Sequence, residues 1–154
     1  MISVEPAKRV YASFRVTGEH LDPDTITEKL AMRPTAVTKR GDWLQVLEKP
    51  SSIGAWLLST EDASSNKIQY HLNLLLDLIS PKGQIISELK EAGYTVSISC
   101  YALTEHENVE GHIDSATIRR IADLDCNFWF DVYFDYTEFD EDQSESLIEN
   151  ASVD

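Results

Sequence analysis

Three segments of this sequence alternate between apolar and polar residues with a period of two. The clearest is residues 10–16, where one phase is entirely apolar: Val10, Ala12, Phe14 and Val16. Residues 94–103 and 127–136 repeat the pattern. Because successive side chains of a strand point to opposite faces, the alternation predicts three strands, and the first of them has one buried face. Residues 55–60 predict a further strand.

Helix signals separate these strands. Asp22 before Pro23, and Ser80 before Pro81, each match an N-cap residue followed by proline in the first turn, so a helix is predicted to begin at each pair. Gly93 is predicted to end the second of these helices in a left-handed conformation. After the first helix, residues 33–53 are predicted to form a long loop or an irregular edge hairpin.

Two more helices are predicted, and together with the strands they define a fold class. The longer helix has a face of regularly spaced apolar residues: Ile68, Leu72, Leu75, Leu76 and Ile79. Ser115 is predicted to cap the shorter helix, whose apolar residues are Ile118, Ile121, Ala122 and Leu124. This order of elements resembles split βαβ units. It predicts an α+β fold of ferredoxin-like character, a two-layer sandwich with a mostly antiparallel sheet and helices on one face.

The length of the chain, 154 residues, fits one domain with a single core. We expect this α+β domain to span residues 1–137. Residues 138–154 are acidic and rich in Ser and Glu, with Leu147 and Ile148 as their one adjacent aliphatic pair. Such a composition predicts a disordered tail.

The chain is strongly acidic, with a formal charge of −14 from 27 acidic and 13 basic residues. Eight of the acids and none of the bases lie in residues 135–154, so the preceding residues carry 19 acids and 13 bases. A negative field repels phosphate backbones and anionic headgroups and attracts cationic partners. We therefore expect no nucleic-acid or membrane partner, and a protein partner that is basic. The alternative is that the acidity only maintains solubility.

The cysteines and the apolar runs indicate a compartment. Cys100 and Cys126 are the two cysteines, and each lies in an apolar, strand-like segment. This placement is typical of buried thiols in a reducing environment. The first residues contain no apolar leader, and the longest aliphatic run, residues 74–76, is too short to span a bilayer. We expect a cytoplasmic protein.

The sequence contains no motif that supports catalysis, a cofactor or a metal. Residues 22–25 are similar to the Asp-x-Asp-x-Thr signature of phosphotransferases, but helix capping explains them. His106 and His112 lie in an acidic loop at a spacing that matches no helical metal-binding pair. We therefore expect no catalytic residues, no cofactor and no metal site. A site assembled from residues distant in sequence remains the alternative.

The second phase of the predicted strands carries aromatic and charged residues in place of small polar ones: Tyr11, Arg15, Tyr101, Trp129, Asp131 and Tyr133. Sheets that stack RNA bases surround such aromatics with Lys and Arg, whereas this chain is net negative. We interpret the six residues as a protein-binding face. The alternative is that residues 33–53 or a second copy of the chain cover this face, so that its aromatics belong to a core.

A second set of residues offers an alternative site for a small anion. Lys39 and Arg40 belong to a basic cluster within residues 33–40. Together with Arg15 they are predicted to hold an anionic group beside Trp56, in a ligand-binding domain or in an enzyme with an unrecognised site. A third alternative is a homo-oligomeric structural accessory, in which the aromatic face packs against its own copy.

Several short pieces of the sequence carry a family resemblance. They are Ala12-Ser13-Phe14-Arg15-Val16-Thr17-Gly18-Glu19, the helix start Leu21-Asp22-Pro23-Asp24, Pro34-Thr35, Lys39 with Gly41, Gly54-Ala55-Trp56 and the leucine-rich helix. Through them, residues 11–136 resemble a bacterial family, domain of unknown function 4279 (DUF4279). The resemblance implies a bacterial cytosolic α+β domain and assigns no catalytic residue. Small acidic domains of this kind are similar to the immunity proteins that neutralise toxins. The expected function is a non-enzymatic protein-binding domain of the immunity type, which inhibits a basic toxin.

Overall fold

The computed structural model of the protein describes residues 7–106 and 109–135. Its central sheet has five strands: β1 (Arg9–Gly18), β2 (Ala36–Thr38), β5 (Gly54–Ser59), β6 (Thr95–Thr104) and β7 (Asn127–Phe134). They are arranged in the order β2-β5-β1-β6-β7. β1 is antiparallel to β5 and β6, β2 is antiparallel to β5, and β6 and β7 run parallel. Between β2 and β5, the short strands β3 (Trp43–Leu44) and β4 (Lys49–Pro50) form a separate hairpin, so residues 33–53 combine an edge strand with this hairpin.

The helices of the described chain cover one face of this sheet: α1 (Pro23–Leu30), α2 (Ile68–Ile79), α3 (Gly83–Glu91) and α4 (Ser115–Asp123). The apolar phase of β1 and β6 faces them, and Phe14 and Ile98 are fully buried there. They share one core with Leu72 and Leu75 of α2 and with Ile86 of α3. Because the helices lie on one side and three of the four strand pairs are antiparallel, the predicted two-layer α+β sandwich is confirmed.

The start of α1 and the end of α3 follow the sequence signals. Asp22 has the extended backbone of an N-cap residue, and its carboxylate accepts hydrogen bonds from the Asp24 backbone N–H (3.4 Å) and the Thr25 hydroxyl (2.9 Å). Beyond α3, Gly93 has a φ of +92°, a left-handed conformation that favours glycine. Both predicted boundaries are confirmed.

Two predicted caps are wrong. Ser80 has a helical backbone because its N–H donates to the carbonyl of Leu76, which continues α2 into a 3-10 turn, Ser80–Lys82. An N-cap residue needs an extended backbone, so the Ser80 side chain does not cap α3. At α4, Asp114 and not Ser115 is the cap, and its carboxylate accepts a 2.8 Å hydrogen bond from the backbone N–H of Thr117.

The contact between α4 and α2 is polar. Thr117 is 2% exposed, and its hydroxyl accepts a hydrogen bond from Gln69 (2.5 Å) and donates one to Asn73 (3.1 Å). Ile118, the next residue, is 53% exposed. Ile121 packs against the core and Leu124, which follows the helix, is buried, so the apolar spacing marks the buried side except at Ile118.

A buried hydroxyl fixes the end of β5 against β1. The Thr60 Oγ1 accepts a 3.0 Å hydrogen bond from the Ala12 backbone N–H and lies 2.7 Å from Nδ1 of His71. His71 is fully buried, and its Nε2 donates to the Ser65 carbonyl at 2.8 Å. These bonds hold the middle of β1 and the chain after β5 together.

Candidate functional site

The sheet face opposite the helices carries the six residues predicted to bind a partner. The strand register sets Tyr11 opposite Tyr101, and Tyr101 opposite Asp131. Since residues of one phase share a face, the structure brings the whole set onto this open face: Tyr11, Arg15, Tyr101, Trp129, Asp131 and Tyr133. Trp129 is 60% exposed and Tyr133 is 55% exposed, so residues 33–53 do not cover them. Binding by this face stays a prediction.

Three tyrosines form a stack across β1, β6 and β7, which we call the tyrosine stack. The ring centroids of Tyr11 and Tyr101 are 4.6 Å apart with an interplanar angle of 17°, and those of Tyr101 and Tyr133 are 5.2 Å apart. The Arg9 guanidinium carbon lies 5.3 Å from the centre of the Tyr11 ring, and Arg9 also pairs with Glu61 at 3.6 Å. Burial, with repulsion from Tyr101 and Glu61 as smaller causes, raises the pKa of Tyr11 above its ordinary value. Its hydroxyl therefore stays protonated at neutral pH.

A groove of about 370 Å³ runs beside the tyrosine stack on the open face. Its floor contains Ser59, Ser13 and Ser99, which the register aligns in one row across β5, β1 and β6. We call this row the serine trough. The sequence alone does not mark these serines as a group, although they share the strand phase of the tyrosines, because only the pairing of the strands shows that they are level with one another.

Arg15 is the basic residue that lines this groove. It is exposed, and it forms no ion pair or hydrogen bond with any residue that the structure describes. Two carboxylates, Glu61 and Asp131, line the groove on the tyrosine side. The groove thus has a cationic side and an acidic side, with the serine trough between them.

The structure does not bring together the four residues of the alternative anion site. Trp56 is fully buried on the helix side of the sheet, where its Nε1–H donates to the Thr27 hydroxyl at 3.0 Å, whereas Arg15 lies on the open face. Lys39 pairs with Asp24 at 3.4 Å, and Arg40 pairs with Glu19 at 3.2 Å. Of the four residues, only Arg15 lines the groove.

β7 is exposed on both of its faces, which distinguishes it from β1 and β6. Every residue of the strand is exposed. Six of them are large and hydrophobic and form what we call the β7 rim: Phe128, Trp129, Phe130, Val132, Tyr133 and Phe134. The four of them that face the helix layer are each between 37% and 46% exposed: Phe128, Phe130, Val132 and Phe134. Alternation correctly predicted the strand, but β7 lies at an edge of the sheet and its side chains stay outside the buried core.

Neither cysteine is an activated thiol, and the described residues form no metal-binding cluster. Burial raises the pKa of the Cys100 thiol to about 12 and that of Cys126 to about 11, so both sulfurs are protonated at neutral pH. Within residues 7–106 and 109–135, no group of three or more His, Cys, Asp and Glu side chains is placed to hold a metal. The helices of these same ranges are all too short or too polar to cross a membrane.

These observations define an α+β domain with one helix-covered sheet face and one open, aromatic face. The chain belongs to the family described as domain of unknown function (DUF4279), whose model matches residues 8–135. This confirms the family resemblance of the sequence. Comparisons with curated proteins and with solved structures gave no match.

Proposed function

We propose that this protein is a non-enzymatic protein-binding domain whose partner contacts the β7 rim. The observation that carries the proposal is the exposure of six large hydrophobic residues within one strand of eight residues. Single exposed apolar residues are common, but contiguous apolar patches mark interaction sites on protein surfaces. The patch is rich in Phe, Trp and Tyr, which are enriched in interfaces.

The tyrosine stack extends this surface onto the open face. Tyr133 belongs both to the β7 rim and to the stack, so the two features are continuous. On the open face Asp131 lies between Trp129 and Tyr133, and it forms no ion pair with a described residue. An acidic group within an aromatic surface favours a partner that supplies a Lys or Arg side chain.

The charge of the chain supports a basic partner. A formal charge of −14 accelerates association with a positively charged protein, and it opposes binding to nucleic acid or to anionic lipid. The specific form that we propose is an immunity-type protein of a bacterial cytoplasm, which binds and neutralises a basic toxin. Charge and the likeness to small acidic inhibitor domains support this form, and the β7 rim supplies its contact surface.

The proposal is tested by capture with matched variants. Wild type and a Phe130→Ser variant are used to capture proteins from lysate, and Val46→Ser, which removes a 95% exposed valine from the β3–β4 hairpin, is the control. The captured protein is then purified and its affinity is measured from about 50 mM to about 500 mM salt. We expect Phe130→Ser to weaken binding by roughly tenfold or more, Val46→Ser to have no effect, and salt to weaken the wild-type complex.

Three outcomes would overturn the proposal or replace it. An equal loss of binding affinity in Phe130→Ser and Val46→Ser would exclude the β7 rim as the contact surface. A salt-independent complex with an acidic protein would exclude the basic partner. If the purified protein forms a dimer that Phe130→Ser dissociates, a second copy occupies the rim, and the protein is the homo-oligomeric accessory instead.

A further inference from the structure

The serine trough is a depression with taller side chains on both sides. Ser13 is paired with Ser59 on one neighbour and with Ser99 on the other, so three small residues lie level with one another. Arg15, two residues after Ser13 on β1, is paired with Leu57 of β5. Residues of one phase are about 7 Å apart along a strand. Arg15 on one side of Ser13 and Tyr11 on the other are each one such spacing away, so the two walls of the trough stand about 14 Å apart. This spacing leaves room for a small molecule between them.

The opposite wall of the trough is aromatic. Tyr11 and Tyr101 are two residues from Ser13 and Ser99 along their strands, and their stacked rings stand directly across from each other. The two rings stack on each other, with centroids 4.6 Å apart. The groove volume, about 370 Å³, falls in the range of small-molecule sites, roughly 300 to 1,000 Å³.

Arg15 makes one side of the trough suited to an anion. The Arg15 guanidinium has no ion pair with a described residue, and its planar fork matches the two oxygens of a carboxylate. The Ser13 hydroxyl also has no hydrogen-bond partner among the residues that the structure describes, although Ser13 is only 4% exposed. A carboxylate beside Arg15 would give both groups a partner.

The acidic groups on the tyrosine side restrict the rest of the ligand. Glu61 and Asp131 line that side of the groove, so a second carboxylate there would be repelled. From this arrangement we infer that the serine trough binds a small monocarboxylate with a planar aromatic body, its carboxylate on Arg15 and its ring beside Tyr11 and Tyr101. The groove shares the tyrosine stack and Asp131 with the open-face part of the proposed protein-binding surface, but of the β7 rim only Tyr133 lines it.

The test is a titration of the full chain followed by amide NMR in a carboxylate-free buffer. The test compounds are phenylacetate and benzoate, which have a ring and a carboxylate, and the comparison compounds are acetate, 2-phenylethanol and 2-phenylethylamine. We expect saturable shifts at Ser13, Ser59 and Ser99 with the two aromatic carboxylates. Binding of each comparison compound should be at least about tenfold weaker, since each lacks one of the two recognised groups or carries the wrong charge.

Variants tie the binding to the trough. Arg15→Gln keeps the length of the side chain and removes its charge, and we expect it to weaken phenylacetate binding by about tenfold or more. Arg33→Gln is the matched control, because Arg33 is also exposed but does not line the groove. Phe130→Ser should leave phenylacetate binding unchanged, which separates this site from the β7 rim.

The inference is overturned if neither aromatic carboxylate gives a saturable shift, or if the shifted amides lie outside β1, β5 and β6. Equal weakening by Arg15→Gln and Arg33→Gln would also overturn it, because a general loss of positive charge would then explain the effect. Retention of the dispersed wild-type spectrum by Arg15→Gln shows that the variant is folded, so a loss of binding reports on the site.

Discussion

Replacement of Gly54 by alanine should severely destabilise the domain, because the backbone of Leu21 passes directly over this position. Gly54 begins β5 and pairs with Gly18 at the end of β1. A Cβ atom at Gly54 would lie 2.1 Å from the carbonyl oxygen of Leu21 and 3.0 Å from its carbonyl carbon. Gly54 does not have a positive φ, so its backbone conformation would accept alanine. The obstacle to a methyl group is therefore its clash with the Leu21 carbonyl group.

The geometry sets the size of the expected effect. The new methyl group and the Leu21 carbonyl must separate by about 1 Å to reach even a tight contact. The obstacle is backbone, so no rotamer change relieves it, and either β5 or the turn between β1 and α1 must move. Overpacking of a core typically costs about 1 to 3 kcal/mol. We expect about 3 kcal/mol for Gly54→Ala, which corresponds to a fall in Tm of roughly 10 °C.

Urea unfolding followed by circular dichroism measures this loss, with Gly83→Ala as the matched control. A Cβ at Gly83 would lie 3.7 Å from Leu124, an ordinary contact, and Gly83 is the first residue of α3. We expect the control to be neutral or to stabilise by up to about 1 kcal/mol. A Gly54→Ala protein within about 0.5 kcal/mol of wild type would refute the reasoning, because the Leu21 backbone would then be free to move.

Two further predictions concern the helix ends. Ser80→Ala removes a buried hydroxyl that has no hydrogen-bond partner in the described chain. We therefore expect urea unfolding to show a free energy of unfolding that is higher by about 1 kcal/mol. A clearly lower free energy of unfolding would show that the hydroxyl has a partner after all. Asp114→Ala removes the cap of α4 and should lower the urea midpoint at pH 7, with Asp114→Asn retaining most of the cap. The hydrogen bond from the Thr117 backbone N–H holds the pKa of Asp114 below its ordinary value of 3.8, so the charge of Asp114 stabilises the fold above that value. The difference in urea midpoint between wild type and Asp114→Ala should become smaller as the pH falls below 3.8. A difference that stays constant down to a pH of about 2 would contradict the role of the charge.

The fold was predictable where one residue pattern decides the local structure. Alternation in residues 10–16 and 94–103 predicted β1 and β6, and the Asp22-Pro23 pair predicted the start of α1. Ser80 shows the limit of such signals, because the same Ser-Pro pair continues a helix when the preceding turn already supplies the carbonyl of Leu76. Whether a serine caps a helix depends on its backbone conformation, which the residue type does not determine.

The candidate site was predictable only in part, because it depends on strand pairing. The phase of each strand places Tyr11 and Tyr101 on the same side as Arg15. The register of the strands is also needed to know which residues lie next to one another across the sheet. Trp56 shows this well: it pairs with Val16, whose side chain is in the core, so it cannot share a face with Arg15. The exposure of both faces of β7 likewise depends on its edge position, which alternation does not encode.

The place of β7 in the chain keeps its exposed hydrophobic side chains apart from the buried core. Every buried hydrophobic residue of the described chain lies before β7, and the last of them is Leu124. Replacement of Phe130 or Trp129 therefore removes no residue from the buried core of the described chain. If the rim is the contact surface proposed above, a change of partner would need mutations in this one strand only, and the residues that pack the core could stay unchanged.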